Sequence, residues 1–197
     1  MTDAVRTFLS AADLVTRQAR TLTVEQLAAP SPCTGWDARD VLVHVTGTLA
    51  KTRVMLAGGG YAGAPASTAA PASTAARPTP MAAVQLWIRG VAATRWALDE
   101  IAPDATFATP QGQVPLPAAL GLVTADCAVH AWDLAATVGR DLELPAELVD
   151  HVSRMAASVP EEQLRGRLFA PPVPAPDDAG PTEALMAHLG RIRPVAR

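Results

Sequence analysis

The sequence predicts an all-α protein folded as a four-helix bundle. Four long segments repeat apolar residues at steps of three and four, which is the period of a helix with one buried face. The connections between these segments are short on two sides and long on one, which suits a bundle with one irregular crossover. The chain has 197 residues, of which 49% are hydrophobic, enough to bury a sizeable core. We therefore expect a single domain over residues 1–197.

The first two long helices are predicted in the first third of the chain. The first runs over about residues 2–21 and is followed by a short helical turn at 23–27. Residues 30–36 (PSPCTGW) contain proline and glycine at positions that exclude regular structure. The second long helix is expected over about residues 38–56, and a run of three glycines ends it.

The start of the second helix carries two local signals. Asp37 is a good N-cap residue, and Asp40 three residues later imitates a capping box with Asp in place of Glu. Trp36, directly before the cap, is placed for a hydrophobic staple with Val41. Both signals place the start of the helix near Ala38.

A low-complexity segment separates the second and third long helices. Residues 58–80 consist largely of Gly, Ala, Pro, Ser and Thr and contain a near repeat of the letters APASTAA. Such a composition does not build a core, so we expect a flexible surface loop.

The other two long helices follow this loop. The third is expected over about residues 81–101, where Pro103 stops it. Residues 107–114 are expected to form an extended excursion with a turn, for which a short hairpin is one alternative. Pro117 lies in the first turn of the fourth helix, which ends near Gly139.

The C-terminal part of the chain is expected to add only short elements. Pro145 opens a fifth helix, and residues 168–197 form an extended, proline-rich tail with a short helix over 182–189. His151 and His188 lie in segments of mixed polarity, so we expect both at the surface and neither as a ligand.

Composition argues against several classes of protein. The formal net charge of −3 argues against nucleic acid as the main partner. No uninterrupted run of about eighteen apolar residues predicts a transmembrane helix, and the first residues lack the pattern of a signal peptide. We therefore expect a cytoplasmic protein, in which Cys33 and Cys127 are free thiols. The sequence does not decide whether the protein forms a homodimer.

The fourth helix places two chemically active side chains on one apolar face. Asp126 and His130 are four residues apart, so they lie one turn apart on a stripe that also contains Leu122 and Val129. Burying a carboxylate costs free energy unless it is paired or bound to a metal. Two interpretations are open: a hydrogen bond between Asp126 and His130 inside the bundle, or half of a metal site.

The second helix supplies a third candidate ligand. His44 shares the inward stripe of that helix with Val41 and Val45. Helical bundles build metal sites from inward residues on facing helices. His44, Asp126 and His130 then give two imidazoles and one carboxylate with an open position, the pattern of a catalytic divalent site. These ligands suit zinc, nickel, iron and manganese, with zinc as our first expectation. The alternative is that His44 is a core histidine that donates to a backbone carbonyl.

Two sequence motifs resemble a known family. Residues 32–45 (PCTGWDARDVLVHV) resemble the second-helix signature of the DinB-like superfamily, and residues 126–135 (DCAVHAWDLA) resemble its fourth-helix signature. The resemblance is to single-domain actinobacterial proteins with a mycothiol-dependent maleylpyruvate isomerase metal-binding domain. Residues 169–174, 177–179 and 185–191 also resemble the C-terminal tail of that branch.

The resemblance implies a bundle with one divalent metal held by His44, Asp126 and His130. It also implies a low-molecular-weight thiol, mycothiol, as co-substrate, because characterised members use the metal to activate such a thiol. The thiolate would add to an electrophilic small molecule, giving either S-transfer or an isomerisation by addition, rotation and elimination. The isomerase itself carries a further α/β domain that is not expected here, so the metal and thiol chemistry is what the resemblance supports. The alternative function is a non-catalytic module on the same bundle that binds small molecules or other proteins.

Other polar residues have less specific predictions. Arg53, Arg89 and Arg95 on the inner helices are candidates to hold a substrate carboxylate. Asp133 either orients a metal ligand or faces solvent. Cys127 is turned about 100° away from Asp126 and is expected as a packed thiol. No residue is assigned a catalytic role beyond the ligands.

Overall fold

The computed structural model describes residues 1–59, 77–102, 104–109 and 112–194. The helices are α1 Asp3–Thr21, α2 Val24–Leu27, α3 Ala38–Leu56, α4 Pro80–Asp99, α5 Leu116–Ala136, α6 Ala146–Ser158, α7 Glu161–Gln163 and α8 Pro181–His188. A π-helical turn, Leu164–Leu168, continues α7. Strands β1 Thr106–Thr109 and β2 Gly112–Pro115 form an antiparallel hairpin in which Phe107 pairs with Val114.

The four long helices close into a bundle. Helix α1 packs between α4 and α5, and α3 packs against the same two helices. Helix α6 packs against α5, and α8 packs against α6. This arrangement confirms the predicted all-α four-helix bundle, with helix bounds within about two residues of those expected. Among the described residues, no helix is long and apolar enough to span a membrane.

Side-chain caps explain why the long helices begin where they do. The Thr2 hydroxyl accepts from Val5 N–H at the start of α1, and the Thr79 hydroxyl accepts from Ala82 N–H at the start of α4. At α3 the predicted capping box is confirmed: the Asp37 carboxylate accepts from Asp40 N–H at 2.8 Å, and the Asp40 carboxylate accepts from Asp37 N–H at 3.1 Å.

Helix α5 is the central element of the core. Sixteen of its 21 residues are buried, so it has no broad polar face. Leu122 departs from the predicted inward stripe, since it is 44% exposed while Val129 is buried. The reason is that Leu122 lines a cavity that opens beside the middle of α5.

The predicted flexible loop at residues 58–80 lies mostly outside the described residues, which resume at Arg77. Arg77 donates to the carboxylates of Asp37 and Asp40, so the segment that leads into α4 is attached to the N-terminus of α3. The weakly predicted hairpin is present as β1 and β2.

The C-terminal segment, residues 168–194, folds back onto the bundle. Arg165 donates to the carbonyl oxygens of His188 at 2.8 Å and Ala170 at 3.2 Å, which ties α8 to the extended stretch before it. Gly190 has a φ of +71°, and a Cβ at this position would lie 2.5 Å from the Pro171 carbonyl oxygen. A glycine is therefore required where the chain leaves α8 and turns towards the bundle.

Candidate metal centre

The packing of α3 against α5 brings the three predicted ligands together. His44 Nε2 lies 3.2 Å from Asp126 Oδ1, and His130 Nε2 lies 3.4 Å from the same oxygen. All three candidate ligand atoms lie within 4.8 Å of one another. One carboxylate oxygen therefore stands between two imidazoles that come from different helices.

These distances fit a divalent ion. Ligand atoms about 2.0–2.1 Å from a tetrahedral zinc ion lie about 3.3–3.4 Å from one another, close to the separations found here. Asp126 Oδ2 is buried and has no hydrogen-bond partner among the described residues. A buried carboxylate oxygen without a partner costs free energy, and a cation would remove that cost.

A second group of polar side chains lies behind His130. His130 Nδ1 lies 2.7 Å from Asp133 Oδ2, and the Cys33 thiol donates to the same oxygen at 3.3 Å. Because an ionised carboxylate only accepts hydrogen bonds, Nδ1 carries the proton of this contact. Asp133 is fully buried, so of its two predicted alternatives it takes the one that orients His130 rather than facing solvent.

Arg191 completes this second group. Its Nε donates to Asp133 Oδ1 at 3.1 Å and its Nη2 donates to Asp133 Oδ2 at 3.3 Å. Asp133 therefore binds a guanidinium on one side and an imidazole on the other, which balances the cost of burying its charge.

The buried charges shift the pKa values of the site in opposite directions. Burial alone would raise the pKa of Asp126, but the hydrogen bonds and charges of His130 and His44 hold it far below its usual range. Burial alone would lower the pKa of His130, but its contacts with Asp126, Asp133 and Cys33 raise it well above the usual value. The raised pKa favours the protonated form of His130, which lies between the carboxylates of Asp126 and Asp133.

The two cysteines differ from reactive thiols. Burial and the charge of Asp133 raise the pKa of Cys33, so the thiol keeps its proton at neutral pH. Burial likewise raises the pKa of Cys127, which is completely buried, as expected for a packed thiol. Both cysteines are free.

Trp36 forms one side of the site. Its ring centroid lies 5.0 Å from that of His44 and 6.3 Å from that of His130, and it stacks on the latter. The residue predicted to staple the start of α3 thus also packs against both candidate ligands. The capping box at Asp37 fixes the backbone directly after it.

A cavity of about 350 Å³ opens onto the three candidate ligands. Its polar lining includes His44, Asp126, His130, Cys33 and Arg191. Its apolar lining includes Trp36, Leu122, Val129, Met155, Leu168 and Phe169. This volume is in the range of small-molecule sites, and an apolar wall with a few polar groups is typical of them.

The arginines predicted for a substrate carboxylate are not in this cavity. Arg53, Arg89 and Arg95 do not line it, and Arg95 instead pairs with the exposed Asp13. Arg53 lies near the C-terminal end of α3, and Arg89 and Arg95 lie on α4, whereas the cavity lining includes His44 of α3, residues of α5 and residues of the C-terminal segment. Among the described residues, the arginines that line it are Arg165 and Arg191.

The remaining histidines lie outside the candidate site. His188 is exposed, as predicted. His151 differs from the prediction, since it is half-buried and its Nε2 donates to the Gly121 carbonyl at 2.8 Å. Cys33 and Arg191 were not predicted as site residues. The only sequence signal for them was their place inside the family-like segments.

Comparisons with known proteins agree with this architecture. Residues 8–135 match the model of the mycothiol maleylpyruvate isomerase N-terminal domain family. Two uncharacterised proteins, from two strains of Mycobacterium tuberculosis, are each 35% identical to the chain over 174 residues, which cover 85% of this chain and 86% of each relative. Arg191 and the C-terminal wall of the cavity lie outside the residues that the family model matches.

Two solved structures share the fold. They are crystal structures of the mycothiol-dependent maleylpyruvate isomerase and of a histidine-to-alanine mutant of it. Each superposes with a TM-score of 0.60 at 17% identity, covering 79% of this chain and 70% of the other. At this identity the likeness supports the shared bundle fold.

Proposed function

The chain belongs to the mycothiol maleylpyruvate isomerase N-terminal domain family, and on that premise we propose that it is a metal-dependent enzyme acting through a low-molecular-weight thiol. His44, Asp126 and His130 would hold one divalent ion, with zinc as the first choice. The thiol named for the family is mycothiol, which we propose as the co-substrate. We further propose that residues 1–197 form one domain, since α6 packs against α5 of the bundle and α8 packs against α6.

One observation carries the proposal. The three candidate ligand atoms lie within 4.8 Å of one another at the wall of a cavity of about 350 Å³. A structural metal site is closed by four protein ligands, whereas a site with three ligands beside a cavity leaves a position for a small molecule. The partnerless Oδ2 of Asp126 favours a cation over a plain hydrogen bond at this point.

When bound, the ion would supply one effect: it would lower the pKa of a coordinated thiol, so that the thiol gives up its proton to solvent and becomes a sulfur nucleophile. The chain's own residues prepare the place where this occurs. Asp133 accepts a hydrogen bond from His130 Nδ1–H, and this contact directs Nε2 towards Asp126. Trp36 packs against both imidazoles and excludes water from that side.

The cavity wall would determine which electrophile can approach the sulfur of the bound thiol. Leu122, Phe169 and Met155 give it an apolar surface suited to a small organic electrophile. The sulfur forms a bond to an electrophilic carbon. In a transfer, that carbon loses its leaving group. In an isomerisation, addition breaks the π bond of a conjugated double bond and its electron pair moves onto the carbonyl group; the resulting enolate rotates about the new single bond, and the pair then re-forms the double bond and expels the same thiolate.

The proposal is tested by following the thiol. Zinc-loaded protein is mixed with mycothiol and either a chloronitroarene, for transfer, or a cis-enedioate, for isomerisation, and products are measured by mass spectrometry and proton NMR. We expect the rate above background to fall at least about 100-fold in His130→Ala. His188→Gln is the matched control, because it removes an exposed histidine outside the centre and should keep the wild-type rate.

Wild-type protein that binds zinc at the centre but accelerates neither reaction with these two electrophile classes would contradict the enzyme proposal. It would favour the alternative, a binding or interaction module on the same bundle.

A further inference from the structure

A continuous chain of contacts joins the C-terminal segment to the candidate metal centre. Arg191 donates to both oxygens of Asp133, at 3.1 and 3.3 Å. Asp133 Oδ2 accepts from His130 Nδ1 at 2.7 Å, and His130 Nε2 is one of the three candidate ligand atoms. Asp133 is fully buried and its Oδ2 also accepts from the Cys33 thiol, so protein groups hold the carboxylate in place.

Arg191 determines how Asp133 is held. A guanidinium that donates to both oxygens of a carboxylate fixes the plane of that carboxylate. The fixed oxygen in turn fixes the His130 ring, because Nδ1 can reach it only in one orientation. Without Arg191 the side-chain donors that the described residues leave to this carboxylate are the imidazole and the Cys33 thiol, and both reach the same oxygen, Oδ2, so Oδ1 is no longer held.

Arg191 is itself placed by the C-terminal segment. Its backbone N–H donates to the Met186 carbonyl at 2.9 Å, and its Cζ lies 5.4 Å from the centre of the Phe169 ring. Gly190, with its positive φ, directs the chain towards the bundle just before it. The segment lies outside residues 8–135, so this support for the centre is separate from the family-defining motifs.

We propose that Arg191 is a positioning residue of the metal centre, acting through Asp133 on His130, and that docking of the C-terminal segment and metal binding strengthen each other. This inference rests on the proposed function, because it assumes a metal at His44, Asp126 and His130. By linkage, if docking of the segment increases metal affinity, metal binding must stabilise the docked segment by the same factor.

The competing explanation is that Arg191 only neutralises Asp133 and anchors the fold. In that case its removal would lower stability without a specific effect on metal affinity. Arg193 provides a matched control, since it is two residues away and also anchors the segment. It pairs with Glu183 at 2.9 Å and lies over the Trp132 ring at 5.0 Å, with no hydrogen bond or ion pair to Asp133 or His130.

The experiment compares Arg191→Gln, Arg191→Lys and Arg193→Gln with the wild-type full chain. Zinc affinity is measured by competition with a chromogenic chelator, and exchange of backbone amides in residues 181–194 is followed by mass spectrometry with and without zinc. We expect Arg191→Gln to bind zinc about 10–100-fold more weakly. Arg193→Gln should stay within about twofold, and Arg191→Lys should fall between, because lysine keeps the charge but not the two-pronged contact.

The amide exchange gives a second readout. In the wild type and in Arg193→Gln, zinc should slow exchange in the segment, whereas in Arg191→Gln this protection should be lost. If Arg191→Gln does not fold, Arg191→Lys decides the matter, since wild-type zinc affinity in that variant would overturn the proposal.

The other outcomes are distinguishable. Arg191→Gln with wild-type zinc affinity, or the same loss of affinity in Arg191→Gln and Arg193→Gln, would overturn the positioning role while leaving the proposed function intact. A wild-type chain that binds no zinc would overturn the proposed function, and this inference with it.

Discussion

At the residue scale, the site is organised by two aspartates on α5 that lie on either side of His130. Asp126 contacts Nε2 at 3.4 Å and Asp133 contacts Nδ1 at 2.7 Å. Both ring nitrogens therefore face an acceptor, which favours the doubly protonated ring. A metal held at Nε2 would replace the proton there and leave the contact with Asp133 in place.

Metal binding is therefore expected to depend on pH. The pKa of His130 is raised well above its usual value of about 6.5, so at neutral pH binding must release a proton. Asp126, with its lowered pKa, stays ionised and therefore adds nothing to the pH dependence of zinc affinity near neutral pH. We expect zinc affinity to rise by up to about tenfold per pH unit from pH 6 to pH 8. Calorimetry in buffers of different ionisation enthalpy should give about one proton released per zinc at pH 7.

In the metal-free protein, the contribution of His130 to the stability of the fold should fall as the pH rises, whereas zinc affinity should increase. Because its folded pKa is raised, His130 stabilises the fold fully below about pH 6.5, and this contribution is lost as the pH rises through the raised value.

Zinc affinity that does not change between pH 6 and pH 8 would contradict the arrangement of protons described here.

Residue-level prediction from the sequence depended on helical spacing. Asp126 and His130 are four residues apart on one helix, so their proximity followed from helix geometry alone. The Asp133–Arg191 pair spans 58 residues of chain. No local pattern encodes such a contact, because it depends on how the tail folds back over the bundle. For the same reason, helical spacing pointed to arginines on the inner helices and not to Arg191, which lines the cavity.

At the element scale, the start of α3 connects capping to the site. The Asp37–Asp40 capping box fixes the turn that presents Trp36 to the imidazoles of His44 and His130. Arg77 adds charged hydrogen bonds to both carboxylates. This helix start is thus reinforced beyond what a single cap provides.

We expect Asp37→Ala to lower the free energy of unfolding by about 1–2 kcal/mol, because it removes the cap bond to Asp40 N–H and a partner of Arg77. Urea denaturation followed by circular dichroism measures the change. Thr79→Ala at the start of α4 is the control, with only one cap bond of 3.3 Å and an expected loss of about 0.5–1 kcal/mol. An equal or smaller loss in Asp37→Ala would show that the charged network adds nothing to the cap.

Helix boundaries were predictable because caps are local signals. Asp37 and the proline near the start of α5 lie within a residue or two of the ends they mark. The exposure of Leu122 was not predictable in the same way. Its position on the apolar stripe is correct for a helix, but whether that stripe meets a neighbour or a cavity depends on tertiary packing.

At the scale of the whole molecule, the bundle supplies the candidate ligands and the C-terminal segment supplies one wall of the cavity. Phe169, Gly190 and Arg191 all line that wall. The overall bundle followed from the sequence, because four long helical segments, each with a continuous apolar stripe, have few ways to bury those stripes together. The path of the proline-rich tail did not, since an extended segment carries no periodic pattern.

Gly190 tests whether the tail packs as described. A positive φ alone costs a non-glycine residue roughly 1–2 kcal/mol. We expect Gly190→Ala to lower the free energy of unfolding by more than this, because the added Cβ would lie 2.5 Å from the Pro171 carbonyl oxygen and 2.7 Å from the Ala170 Cβ. Gly139→Ala is the matched control, since Gly139 has a φ of +68° and open space around it. Equal losses of unfolding free energy in the two variants would contradict the close packing at Gly190.

The central claim is that His44, Asp126 and His130 form a divalent metal centre, and metal content tests it most directly. Protein purified without a histidine tag is analysed by elemental mass spectrometry after dialysis against zinc and then against metal-free buffer. We expect about one ion per chain in the wild type and in His188→Gln, and none in His44→Ala. A wild-type chain that retains no zinc, nickel, iron or manganese, or a His44→Ala variant that retains a full equivalent, would contradict the claim and leave Asp126 and His130 as a hydrogen-bonded pair in the core.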